Sequence, residues 1–172
     1  MFKYQIIFYI MKVLCYLVLI VTSVKINKYP QFGTPIVSYI DSAAVYDPLW
    51  NTIIIIGGER TEDGISTSEV QFFNLTTGQW SSPRISSSLT PPGLSKHRLF
   101  LRSDRKVLIL GTYSEIYVFS LEDYSWNVET LKGDLLYGVT GFGMANFKLN
   151  DTDFLAVFGG NTQYRTTNSL FL

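Results

Sequence analysis

Three apolar runs, each closed by glycine, recur along the chain and restrict its architecture more than any other feature. Thr52-Ile53-Ile54-Ile55-Ile56-Gly57-Gly58 is followed by Lys106-Val107-Leu108-Ile109-Leu110-Gly111-Thr112 and by Phe154-Leu155-Ala156-Val157-Phe158-Gly159-Gly160. Gly57 and Gly111 stand 54 residues apart, and Gly111 and Gly159 stand 48 apart. Each run follows a shorter apolar stretch and a polar turn: Ala43–Tyr46 into Asp47-Pro48, Leu99–Leu101 into Ser103-Asp104, and Met144–Phe147 into Asn150-Asp151. After the first two runs a further echo appears, Val70 to Trp80 against Ile116 to Trp126, with Phe73 and Phe119 each seven residues before a tryptophan.

These runs are β-branched or aromatic, short, and bounded by Gly, Pro, Asn, Asp and Ser, which is the pattern of strands and not of helices. The chain is therefore expected to be all-β, built from a four-stranded antiparallel unit. Strand one meets strand two through an Asp or Asn turn, strand two stops at glycine, strand three carries the aromatic, and strand four opens with Trp. A unit of about 50 residues with two apolar sheet faces cannot bury both alone, so it stacks against copies of itself. Radial stacking makes a propeller.

At these residues the chain resembles the kelch-repeat, galactose-oxidase-like β-propeller family. The resemblance rests on Gly57-Gly58, Phe73 and Trp80 in a first blade, Gly111, Phe119 and Trp126 in a second, and Gly159-Gly160 in a third. It departs from the family pattern at Thr112, in place of a second glycine, and at Phe73 and Phe119, in place of tyrosine. It implies a partial propeller of about two and a half blades, approximately 42–82, 97–128 and an incomplete 141–172, after a lead-in at 24–41. A closed ring takes roughly four to eight blades. The expectation is thus either a fragment or truncated product, or a ring completed by another chain.

Residues 1–23 read as a targeting segment in the form of an apolar helix. Met11-Lys12, the apolar run Val13–Val21 and then Thr22-Ser23 match a basic start, an apolar middle and a small residue for cleavage, with Met11 an alternative to Met1 as the true start. Counted from Met1, the apolar stretch approaches the roughly 20 residues that span a bilayer, so an uncleaved membrane anchor is the alternative to a cleaved signal. Either places the chain in the secretory pathway, as a secreted or membrane-anchored protein. Loss of residues 1–23 would remove Cys15, Lys3 and Lys12, leaving twelve Lys and Arg against fourteen Asp and Glu.

That balance gives no case for nucleic-acid binding, which calls for a basic excess. One Cys and one His in the whole chain argue against a disulfide, a zinc cage or a multi-imidazole copper site, so neither metal nor cofactor is expected. His97 reads as a surface or loop residue. The basic cluster Lys96, Arg98, Arg102, Arg105 and Lys106 is the one local charge imbalance and reads as a solvated strand edge diluted by Asp104. Asp151-Thr152-Asp153 reads as turn chemistry. The glycines are expected to supply φ > 0 or close backbone approach, and Trp80 and Trp126 to pack between blades. Two sequons, at Asn74 and Asn150, fall at strand ends and mark glycosylation sites.

In the family resembled, the loops between strands two and three and between blades share a partner-binding face. Carried onto this chain, that face comprises Glu59, Arg60, Glu62 and Asp63 in the first blade, Arg84 and Lys96 in the connection, and Tyr164 and Arg165 in the third blade. The resemblance then implies a non-catalytic module for a protein or glycan partner, with self-association through an open blade edge. The alternatives are a fragment of a galactose-oxidase-like enzyme, whose copper chemistry needs a Cys-linked Tyr and His ligands, and a truncated copy without independent function.

Overall fold

The computed structural model describes residues 39–111, 115–130, 139–161 and 170–171. The targeting helix expected at 1–23 and most of the lead-in lie outside the described residues. Within them the chain is all-β, and no helix long and apolar enough to cross a membrane occurs there.

Three antiparallel sheets follow one another along the sequence. The first holds β1 (Tyr39–Ile40), β2 (Ala43–Asp47), β3 (Thr52–Arg60), β4 (Ser66–Asn74) and β5 (Gln79–Ser81). β1 and β2 lie end to end along the same edge of β3, Tyr39 opposite Arg60 and Ala43 opposite Ile56. The second holds β6 (Arg98–Leu101), β7 (Lys106–Leu110), β8 (Ile116–Ser120) and β9 (Trp126–Glu129) in sequence order. The third holds β10 (Gly143–Leu149), β11 (Thr152–Phe158) and β12 (Leu170–Phe171).

Period-two alternation decides how the sheets stack. In β7, Val107 and Ile109 join a core with Ile54, Ile56, Val70 and Phe72 of the first sheet, while Leu108 and Leu110 join a second core with Val157, Leu155 and Met144 of the third. β8 divides the same way, with Tyr117 and Phe119 facing the first sheet and Ile116 and Val118 the third. Every residue of β8 is buried, as a strand covered on both faces should be. Full burial of such a side chain contributes about 1.5–3 kcal/mol each, so these two cores hold the stack together.

The glycines that close the apolar runs sit where the chain crowds. Gly57 (φ 64°) would place a Cβ 2.8 Å from the Cβ of Leu94, and Gly58 (φ 111°) would place one 2.6 Å from Ser42 Oγ. A left-handed backbone in so tight a space admits no side chain without displacement. The β10–β11 turn has its own device: Asn150 (φ 48°) and Asp151 (φ 61°) form a two-residue hairpin between the paired Leu149 and Thr152. Two successive positive φ angles suit the right-handed twist of the flanking strands, and Asn and Asp tolerate them better than most residues.

Candidate binding cleft

In each sheet the first long strand pairs on one side only, β2 with β3, β6 with β7 and β10 with β11. The stack curls so that these three strands line one cleft of about 910 Å³, together with the turns at Pro48-Leu49, Ser103 and Arg105. A strand edge offers unpaired backbone N–H and C=O groups. Side chains add a charged lining of Arg98, Arg102, Arg105 and Lys148 against Asp47 and Asp153.

Those charges are mostly paired. The carboxylate of Asp47, at the end of β2, is fully buried; its Oδ1 accepts from Arg105 Nη1 at 2.6 Å and from the Leu49 N–H at 3.1 Å. Asp47 Oδ2 and Arg105 Nη2 are buried without a partner. The Arg105 guanidinium also lies 4.3 Å from the centre of the Trp50 ring, a cation–π contact across the first and second sheets. Arg102 donates two hydrogen bonds to Asp104 and two to Glu129, all between 2.7 and 3.0 Å. These bonds hold the carboxyls of Asp104 and Glu129 below their ordinary range and raise the arginine further. Asp153 accepts the Ser103 N–H at 3.1 Å, tying the third sheet to the second, and hydrogen bonding to Ser103 lowers its pKa too.

Arg98 stands apart. It is exposed, donates to the His97 carbonyl at 3.0 Å, and among the described residues has no carboxylate within ion-pair distance. Among the described residues of the lining it is the cation without a carboxylate partner, since Lys148 pairs with the exposed Asp151 at 3.4 Å.

His97 corrects an expectation. The sequence suggested a surface or loop position, whereas its ring is fully buried at the seam of the first two sheets. Nε2 donates to the Ile56 carbonyl at 3.0 Å, and Nδ1 is buried without a partner. Burial pushes the imidazole down to about 4, keeping it neutral. The missing Cβ of Gly57, which would stand 3.0 Å from His97 Cε1, makes room for the ring. A position one residue before a strand gave no local sign of this, because the covering atoms come from residues about 40 positions earlier.

The expected partner loops are distributed unevenly. Glu59, Arg60, Glu62 and Asp63 lie together in the β3–β4 hairpin, where Arg60 pairs with Asp63 at 2.8 Å. Lys96 (φ 56°) is exposed nearby, its N–H donating to the Asp41 carbonyl beside the β1 edge of the same sheet end. Arg84 is exposed at the start of the connection, which next bonds to the β8–β9 turn through the Ser86 N–H and the Tyr124 carbonyl. Tyr164 and Arg165 lie outside the described residues. None of the described six lines the cleft. The signal that could have found it was the basic cluster on strand one of the second sheet, which alternation alone read as an exposed edge.

Of the sequons, Asn150 is exposed on the hairpin turn, while Asn74 is half-buried at the end of β4 and its Oδ1 accepts the N–H groups of Thr76 and Thr77. The aromatic pairs repeat their geometry: Phe73–Trp80 and Phe119–Trp126 ring centres are both 4.9 Å apart, tilted by 45° and 50°. Trp126 is buried in the core between the first and second sheets, and Trp80 is half-buried on the far face of the first. Among the described residues no group of three or more His, Cys, Asp or Glu side chains could hold a metal ion.

No family model and no curated protein matches the sequence. Among solved structures the fold is similar to that of YjhT, with a TM-score of 0.59 at 12% identity. The likeness covers 77% of this chain and 48% of that one, so this chain spans about half the length of its structural neighbour.

Proposed function

We propose that the chain is a partial kelch-type β-propeller of the secretory pathway, a non-catalytic module that binds a protein or glycan in the cleft formed by its innermost strands. The observation that carries this reading is the convergence of β2, β6 and β10, the first strands of three repeat-related sheets, on one cleft whose lining includes an unpaired guanidinium. Recurrence of the Gly-closed strand and the aromatic–Trp pair in matching register supports the kelch assignment. The apolar segment at 1–23 supports secretion or membrane anchoring. Sealing of the chain's one imidazole behind Gly57 favours binding over acid–base chemistry, since His97 cannot reach a ligand in the cleft.

Capture of a ligand tests the reading. The full chain is screened against glycan and extracellular-protein arrays beside the Arg98→Glu variant. A ligand retained by the wild type and weakened at least tenfold by the substitution is expected. Retention of every captured ligand equally by both proteins, or turnover of one, would overturn it.

A further inference from the structure

The ladder between β6 and β7 shows which backbone groups of β6 face the cleft. The Arg102 N–H donates to the Lys106 carbonyl at 2.8 Å, and further along the pair Phe100 lies opposite Leu108 and Arg98 opposite Leu110. In an antiparallel pair, residues that exchange hydrogen bonds alternate with residues that do not. Arg98, Phe100 and Arg102 therefore turn their N–H and C=O groups toward β7, while His97, Leu99, Leu101 and Ser103 turn theirs toward the cleft. Among the described residues no strand pairs with β6 on that side. Side chains occupy the two ends of this row: Arg98 Nη1 donates to the His97 carbonyl at 3.0 Å, and the Ser103 N–H donates to Asp153 Oδ2 at 3.1 Å. Between them Leu99 and Leu101, both lining the cleft, each present a donor and an acceptor. β6 belongs to the middle sheet, with the first sheet packed on Leu99 and the third on Phe100, so this edge is flanked on both sides.

We propose that the cleft takes an extended protein segment that adds as a strand to β6, pairing its backbone with Leu99 and Leu101 and setting an acidic side chain against Arg98. The inference deepens the binding reading above and rests on it. Donors and acceptors repeated at alternate residues match the period of a β-strand, and main-chain pairing at a sheet edge supplies affinity while the side chains supply specificity. Charge sets that specificity. Arg98, Arg102, Arg105 and Lys148 line the cleft against Asp47 and Asp153, and Arg98 is the cation among them without a carboxylate partner. A guanidinium carries five N–H donors, so one bond to the His97 carbonyl leaves others for a ligand. The register also clears space beside it. The closing glycines align Ile56, Leu110 and Phe158, and opposite these stand Ala43, Arg98 and Gly143. Neither neighbouring first strand therefore supplies a side chain at that level that could pair with the guanidinium. By alternation Arg98 stands on the same face of β6 as Phe100, toward the third sheet, and the acidic residue of the incoming strand is the one on that face. The cleft, about 910 Å³, is of the size that ligand sites take, roughly 300–1,000 Å³.

Binding of the full chain to an array of random decapeptides, grouped as acidic, neutral and basic, tests it beside a glycan array. Each retained peptide is made again with alternate amides N-methylated, in the two possible phases. Acidic peptides are expected to dominate the retained set and to bind at least tenfold more weakly to Arg98→Glu. N-methylation in one phase should weaken them at least tenfold and in the other should not, because only alternate N–H groups of an added strand face β6. Arg98→Gln is a second variant should Arg98→Glu lose its β circular dichroism. Equal retention of the three peptide groups, or loss of binding in both phases or in neither, overturns strand addition. Capture of a glycan that depends on Arg98, with no peptide retained, overturns this inference and leaves the binding reading standing. Capture of nothing on either array overturns both.

Discussion

Arg105 reaches from the turn after β6 to the buried carboxylate of Asp47 at the end of β2, 2.6 Å away and 58 residues earlier, while its guanidinium lies over Trp50. One side chain therefore joins the first two sheets at the wall of the cleft. Its charge is needed there because Asp47 is 1% exposed, and a buried carboxylate without a counter-charge is strongly unfavourable.

Removal of one partner should thus be worse than removal of both. Arg105→Met is expected to destabilise the fold by about 3–5 kcal/mol, and Asp47→Asn added to it to recover a substantial part. Urea unfolding of the single and double variants measures both. Equal stability of the two would show that Asp47 is not held as a buried charge.

His97 sets a pH dependence of definite sign. Its pKa falls from the ordinary 6.5 to about 4 on folding, so between those values the unfolded chain binds a proton that the folded chain refuses. Stability is fully present above about pH 6.5 and is lost as pH falls toward 4, by up to about 3 kcal/mol. His97→Gln, which keeps a donor for the Ile56 carbonyl, should abolish the slope in that window. Urea midpoints measured from pH 7 to pH 4 decide, and an unchanged slope in the variant would assign it to other groups.

A second acid transition belongs to Arg102. Asp104 and Glu129 have pKa values below the ordinary 3.8 and 4.5 because Arg102 donates to them, so their contribution is present at neutral pH and disappears as pH falls through the lowered values. Both carboxylates are more than a third exposed, which limits the effect to under about 1 kcal/mol. Arg102→Met should remove this small acid loss and leave the His97 window intact. Thermal melts at moderate and at high salt check it, since salt should shrink the difference between the proteins.

Two glycines with nearly the same φ separate strain from crowding. Gly57 (64°) faces Leu94 and His97 within 3.0 Å, whereas the nearest atom to a Cβ on Gly64 (69°) is a Glu59 carboxylate oxygen at 3.5 Å. Gly64→Ala is expected to cost about 1–2 kcal/mol from backbone strain alone. Gly57→Ala adds a clash worth about 1–3 kcal/mol more. Chemical denaturation of the pair measures the difference, and equal losses would place no weight on packing at Gly57.

Much of the all-β fold was legible because it is written in local chemistry. Alternation in Val107–Leu110 already assigns two opposite faces, the Asn150-Asp151 pair already turns the chain, and Gly57 and Gly58 already mark a backbone with φ > 0. The cleft was less legible. Arg102 and Arg105 stood out as charges, yet Glu129 and Asp47, to which they bind, are 27 and 58 residues distant in sequence, and no periodicity links them.

By itself, then, the sequence determined strands, turns and a repeat, since φ preference, period-two alternation and glycine placement act within a few residues of where they are written. Tertiary structure alone decided that His97 is sealed, that Asp47 is held by Arg105, and that Phe158 is exposed where its equivalents Ile56 and Leu110 are covered. Burial depends on which sheet arrives from elsewhere in the chain, and that neighbour has no signature at the residue it covers.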